Sequence, residues 1–250
     1  MKIAIISDLH GNIDALESVL SDIDSENCSK IFCLGDIAMA GPEPKTTINR
    51  IHALMQSKDF HIIQGNTDNM LSVFSFEIQN EILKVNEVMA SAYLADSQLL
   101  SQEEKDFLGS LKEQQEVELF GIKILLVHGS PRKNNENIYP NLSIEQVEEM
   151  IKDTNANVIF CGHTHMPCGY QTNTEQTIVN VGSVGRPFSE EPNSCYAVMD
   201  IDETTSTFTI KHKFVKYDVE SAAKKIEKRG FLGCEKLAKM LIKATSRYPE

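Results

Sequence analysis

The chain has 250 residues, 41% hydrophobic and 24% charged, the balance of a soluble globular protein large enough to bury a substantial core. A formal net charge of −12 argues against an extended nucleic-acid interface, which needs clustered cations. No apolar run is long enough to cross a bilayer, and no leader-like pattern precedes the first apolar run. The six cysteines have no paired spacing, so reduced thiols and a cytoplasmic location are expected.

The chain opens with alternating elements. Ile3 to Ile6 is a short apolar run that ends at Asp8-Leu9-His10-Gly11-Asn12. Asp14 to Ile23, with Ala15, Leu16, Val19 and Leu20 apolar, predicts an amphipathic helix. A second run, Ile31 to Leu34, ends at Gly35-Asp36, and Thr46 to Met55 predicts a second helix. A third, His61 to Ile63, precedes Gly65-Asn66-Thr67-Asp68. Short apolar runs bounded by Gly and polar residues read as buried strands. The intervals from Asp8 to Asp36 and from Asp36 to Asn66 each match one βαβ unit of roughly 30 residues. Asp8, Asp36 and Asn66 should therefore stand side by side at the carboxyl ends of consecutive parallel strands, where open α/β sheets build their sites.

Residues 69–115 break the alternation. Phe76 to Leu94 predicts one amphipathic helix, and Ser101-Gln102-Glu103-Glu104 has the form of a capping box for another around Glu103 to Leu111. The segment is expected in the flanking helical layer, with residues 69–80 near the site. Val117 to Lys123 predicts a hairpin into the run Ile124 to Val127, which ends at His128-Gly129-Ser130-Pro131. A helix from Ser143 to Ile151 follows, then Val158 to Cys161, which ends at Gly162-His163-Thr164-His165. Strands are expected near 168–171, 177–181, 195–201 and 205–214, and surface helices at 221–228 and 235–243 within a C-terminal segment 217–250. Two sheets with helices outside each is the simplest packing of this inventory, in one domain spanning 1–250.

Taken singly, Asp8, Asp36 or Asn66 reads as a turn residue or helix cap. Taken together, two Asp, one Asn and four His reach one edge through five strand-end loops, the ligand set of a two-metal site. In this order the motifs resemble the calcineurin-like metallophosphoesterase superfamily, over roughly the first two thirds of the chain, through His165. The resemblance implies an α/β fold, a four-layer α-β-β-α sandwich of two mixed β-sheets flanked by helices. It implies one ion held by Asp8, His10, Asp36 and His165 and a second held by Asp36, Asn66, His128 and His163, with Asp36 bridging. It further implies attack of a metal-bridging hydroxide on a phosphodiester or nucleotide-type phosphoester, with Asp36, Asn66 and His128 as catalytic residues. The mixed oxygen and nitrogen donors suit manganese, iron, zinc, cobalt or nickel better than calcium.

Many members of that family carry His directly after Gly-Asn, where it is thought to protonate the leaving oxygen. Here the position is Thr67, too weak an acid for that task near pH 7. The small bacterial and archaeal phosphodiesterase branch is thus the nearer resemblance. The stretch Asn180 to Pro187 also resembles a glycine-serine loop of diadenosine tetraphosphatase-related phosphoesterases. Asn12, Arg132 and Arg186 are expected to touch a small phosphoester substrate. Asp68 has two readings, as an orienter of a ligand His or as a cap of the next helix. Cys161 and Cys168 flank the last His motif; Cys161 reads as a buried thiol, and neither is counted as a ligand. The enzymatic alternatives are a diadenosine tetraphosphatase or a protein phosphatase. The non-enzymatic one is a protein-binding scaffold like the retromer subunit, which departs from the family at metal positions that are all filled here.

Overall fold

The computed structural model describes residues 1–246; residues 247–250 of the expected C-terminal segment lie outside the described residues. In chain order the elements begin β1 (Lys2–Ile6), α1 (Ile13–Ser25), β2 (Lys30–Cys33), α2 (Pro44–Ser57) and β3 (Asp59–Ile62). Four helices follow, α3 (Asn66–Ser72), α4 (Phe76–Val85), α5 (Glu87–Leu99) and α6 (Gln102–Ser110). Then come β4 (Gln114–Leu119), β5 (Ile122–Val127), α7 (Ile144–Ile151), β6 (Val158–Cys161), β7 (Cys168–Gln171) and β8 (Thr177–Asn180). The chain continues through β9 (Ser194–Asp202), β10 (Thr207–Val215), α8 (Val219–Lys228) and α9 (Cys234–Lys243).

Two five-stranded sheets result, ordered β10-β9-β1-β2-β3 and β4-β5-β6-β8-β7. β1, β2 and β3 pair in parallel, as do β5, β6 and β8, with antiparallel strands completing each sheet. The sheets are mixed because helical crossovers give parallel neighbours and hairpins give antiparallel ones. The continuous apolar run of β1 reflects burial on both faces. Its Ile3 and Ile5 join Phe32, Leu34, Leu126 and Phe160 between the sheets. Ala4 and Ile6 instead face the helical layer with Leu16, Ile48, Tyr93 and Leu237. On the outer face of the second sheet, α7 contributes Val147, Met150 and Ile151 to a third apolar cluster with Leu125 and Ile159. The order helix, sheet, sheet, helix is the four-layer sandwich.

Two expectations need correction. The predicted helix from Phe76 to Leu94 breaks into α4 and α5 at Asn86. Its backbone is extended (φ −152°, ψ 97°), and its side chain accepts the Met89 N–H at 3.1 Å, ending one helix and capping the next. α4 lies on the outer side of the flanking layer: Ile78 and Ile82 pack against its apolar cluster, while none of its residues is fully buried and Phe76 is 68% and Val85 89% exposed. α5 and α6 do enter the layer through Ala92, Tyr93 and Leu108. The C-terminal helices, expected as surface elements, bury one face each, with Ala222, Ile226, Leu237 and Leu241 in the same cluster. Among the described residues no helix is long and apolar enough to cross a membrane.

Candidate metal centre

The registers of the first sheet place Ile6 beside Cys33 and Cys33 beside Ile62, so the loops after β1, β2 and β3 leave one edge together. The loops after β5 and β6 reach the same edge from the second sheet. Backbone bonds tie the loops of each sheet to one another: Asp8 N–H to Gly35 O at 3.0 Å and His10 N–H to Asp36 O at 2.9 Å in the first set, and Gly162 N–H to His128 O at 2.8 Å in the second. Asp8, His10, Asp36, His163 and His165 all have left-handed backbones, φ between 44° and 67°. Such a conformation costs about 1–2 kcal/mol per non-glycine residue, and its concentration here marks a site rather than a framework. Gly162 is required by close approach, since a Cβ there would overlap the Ser7 hydroxyl and the Asp8 carboxylate.

The side chains form two overlapping groups, Asp8, His10 and His165, and Asp8, Asp36 and His128, whose ligand atoms lie within 4.8 Å of one another. Asp8 Oδ1 is 3.2 Å from His165 Nε2 and 3.9 Å from both His10 Nε2 and His128 Nε2. Asp36 Oδ2 is 3.7 Å from His10 Nε2 and 3.4 Å from His128 Nε2, so each carboxylate reaches both groups. Asn66 Oδ1 adjoins His128 Nε2 at 3.1 Å. His163 stands one step further out, its ring centroid 5.3 Å from that of His128, while its N–H donates to Asp8 Oδ2 at 3.0 Å. Asn66 and His163 are half-buried and the other five residues buried, so the cluster meets solvent on their side.

Three imidazoles are held alike. Nδ1 of His10 meets Met39 O at 2.8 Å, that of His128 meets Leu34 O at 2.8 Å and that of His165 meets Arg186 O at 2.6 Å. A carbonyl only accepts, so each Nδ1 carries a proton and each ring turns its Nε2 into the cluster. His10 Nε2 and His165 Nε2 then face each other at 3.0 Å, a contact that with both rings neutral sets two acceptors against each other. Asp8 Oδ1 beside them is buried with no hydrogen-bond partner. A cation between these atoms removes the conflict, and the donor set fits a divalent transition ion.

The electrostatics agree. Burial would raise Asp8, but His165 and His128 hold its carboxyl below the usual carboxylate range. Asp36 is likewise raised by burial and lowered further by His128 and His10. Burial and then His165 lower His10 to about 4, which leaves it neutral near pH 7. His163 is lowered too, by burial and then by His128. His128 goes the other way: burial pulls it down, and Asp36 and Asp8 overcome that and raise it to about 10. In the metal-free protein a proton on His128 thus stands where a cation would, and metal must displace it.

Several expected contacts have other duties. Asn12 is wholly buried; its amide donates to Gly185 O at 2.8 Å and Tyr217 Oη at 3.3 Å, and its oxygen caps α1 through Ala15 N–H, so no atom is left for substrate. Arg132 turns away from the cluster, clamped by Glu136 and Glu149 along an open groove of about 500 Å³ with Lys152 and Asp153. Arg186 stays beside the cluster, its guanidinium 5.6 Å from the Phe188 ring and its charge felt by His10. Asp68 hydrogen-bonds none of the ligand His: it accepts the N–H of Asp36, Ile37 and Gly65 at 2.8, 2.8 and 2.9 Å, fixing the turn that aims Asp36. Sequence reasoning missed Phe188, which stacks on His165 at 4.5 Å, and Ser183, which donates to Asp8 O at 2.8 Å. It also missed Asn180, whose amide holds Gly162 O at 2.8 Å and Thr164 Oγ1 at 2.9 Å. The glycine-serine stretch containing Asn180 and Ser183 was the available signal; nothing local marked Phe188.

Two parallel-stranded half-sites meeting at an edge rich in carboxylate and imidazole define a metallohydrolase-type protein. Residues 1–204 match the calcineurin-like phosphoesterase superfamily domain, and the chain belongs to that family of metal-dependent phosphoesterases. An uncharacterized protein of Methanocaldococcus jannaschii is 30% identical over 241 residues, 90% of this chain and 92% of its own. A hypothetical protein from Pyrococcus horikoshii OT3 shares the fold at a TM-score of 0.87 and 19% identity, covering 98% of this chain and 99% of that one. A metallophosphoesterase from Sphaerobacter thermophilus does so at 0.77 and 25% identity, over 98% and 100%.

His128 gives a pH prediction with a definite sign. Its folded pKa is raised from 6.5 to about 10, so the stabilisation it brings is complete below pH 6.5 and lost as pH rises through 10. The melting temperature of metal-stripped protein should fall between about pH 7 and about pH 10, and His128→Gln should flatten that fall. A wild-type melt that does not move over this range would contradict the charged His128.

Proposed function

We propose that this protein is a cytoplasmic, single-domain phosphoesterase with a dinuclear centre, hydrolysing a phosphodiester or nucleotide-type phosphoester. Asp8, His10, Asp36 and His165 hold one divalent ion in this reading, and Asp36, Asn66, His128 and His163 the other. The observation that carries it is the facing pair of His10 and His165 nitrogens beside a buried carboxylate oxygen with no hydrogen-bond partner, an arrangement that suits a bound cation. The donor mixture favours manganese, iron, zinc, cobalt or nickel. Bound there, such ions polarise a phosphoester and make water nucleophilic near neutral pH.

The chain's own residues do the rest. Met39, Leu34 and Arg186 carbonyls keep three imidazoles in the ligating tautomer. Asp68 fixes the backbone of Asp36, and the Thr67 N–H, which donates to Asp36 Oδ1 at 2.9 Å, holds its carboxylate. In this reading Arg186 supplies a cation for a phosphate oxygen, which its position near Phe188 and His10 supports. A small ester entering from the side of Asn66 and His163 fits the net charge of −12, which disfavours a polyanion. All six cysteines are free thiols, which supports a reducing compartment.

Elemental analysis of purified variants tests the assignment. Asp36→Asn should lose both ions together, and His165→Ala mainly one. Two ions retained in Asp36→Asn, with unchanged turnover, would contradict the shared ligand.

Thr67 generates a kinetic prediction. With no imidazole at that position, rates should depend steeply on leaving-group pKa, because a positioned acid contributes about 10²–10⁴-fold, mostly for poor leaving groups. Aryl esters should turn over readily and alkyl phosphomonoesters poorly, and Thr67→His should recover part of the alkyl rate. A flat dependence in the wild type, with chemistry rate-limiting, would assign the proton to another residue.

A further inference from the structure

The loop that carries Met39 is fastened by a residue outside the region matched to the family. Asp96 on α5 is fully buried; its Oδ2 accepts the Ala40 N–H at 2.8 Å and its Oδ1 pairs with Arg229 Nη1 at 2.7 Å. Arg229 caps the end of α8 and lies beyond residue 204, where the family match stops. The same Nη1 donates to Gly41 O at 3.0 Å, and the guanidinium lies 5.2 Å from the centroid of the Phe231 ring. One buried ion pair thus grips two successive residues, Ala40 through its N–H and Gly41 through its carbonyl.

Those residues bear directly on His10. Met39, immediately before them, supplies the carbonyl that fixes the His10 tautomer. Ala40 is held at φ +62°, a conformation that an unfastened alanine would leave. Gly41 lies so close to the histidine backbone that a Cβ would overlap the His10 carbonyl. Relaxation of residues 39–41 therefore moves the group that aims Nε2. The joint between α8 and α9 is itself docked on α5, with Leu232 N–H donating to Ser91 Oγ at 2.9 Å and Gly233 packed against Val88.

We propose that Asp96 and Arg229 are a positioning pair for the His10 side of the metal centre, which makes the C-terminal helices part of its support; this rests on the metal assignment above. Neither residue touches metal or substrate. A pair that only stabilised the fold would affect both ions alike or neither, whereas a positioning pair changes one.

The test is cobalt(II) titration of the full-length metal-stripped protein, read by visible absorption and equilibrium dialysis, with melting curves of each variant alongside. Wild type should take up two equivalents. Arg229→Met should weaken one equivalent by about 10–100-fold and alter its absorption band while the other is unchanged, the range typical for loss of a group that orients a metal ligand. Arg229→Lys, which keeps the cation, should restore much of the loss. Should Arg229→Met not fold, Asp96→Asn serves, since it still offers an acceptor to Ala40 while leaving Arg229 without its counter-ion. Two unchanged equivalents in variants that melt lower, or equal weakening of both, would overturn the positioning role alone. A wild-type protein that does not bind two equivalents would overturn the metal assignment and this inference with it.

Discussion

Two carboxylates buried away from water constrain everything at this edge of the protein. Asp8 is wholly buried and Asp36 is 2% exposed, yet both are held in the ionised form. An uncompensated carboxylate in such surroundings costs several kcal/mol even after relaxation, so each must be met by positive charge or donors. Protonated His128 and backbone N–H groups supply part of this in the metal-free protein. His10 does not, since burial keeps it neutral and its carbonyl-bound Nδ1 leaves a lone pair facing inward. Ionised carboxylates and an inward-facing imidazole lone pair together suit a bound cation, and the site is built around that donor set.

The fold serves this constraint by bringing two sheets' strand ends together. Parallel β1, β2 and β3 deliver Asp8, Asp36 and Asn66 from one side, and β5 and β6 deliver His128, His163 and His165 from the other. The left-handed turns at Asp8, His10, Asp36, His163 and His165 are strained, and hydrogen bonds to Asp68, Ser183 and Asn180 help hold the loops that contain them. Membership of the calcineurin-like phosphoesterase superfamily gives this edge its chemical class, since that family is metal-dependent.

The gathering of the motif residues was legible because each follows an apolar run whose strand character depends only on local pattern, and because crossover length brings strands back to the same edge. The hairpin ahead of β5 and the Ser143 cap of α7 were legible for the same local reason. What lay outside local pattern was hidden. Asn86 resembles a helix-interior polar residue until its side chain is seen bonded to Met89 N–H. Asn12 and Arg132 look like exposed loop donors, but contacts with Gly185, Tyr217 and Glu149, all distant in sequence, use up their hydrogen-bonding groups. Asp68 was readable as a cap, and its long-range bonds to Asp36 and Ile37 were not.

The central claim is that two cations complete this buried edge and share Asp36. Anomalous diffraction from crystals grown with manganese tests it most directly. The account predicts two peaks about 3.5–4 Å apart, one in coordination range of Asp8, His10, Asp36 and His165 and the other of Asp36, Asn66, His128 and His163. A single peak, or two peaks with none at Asp36, would contradict it.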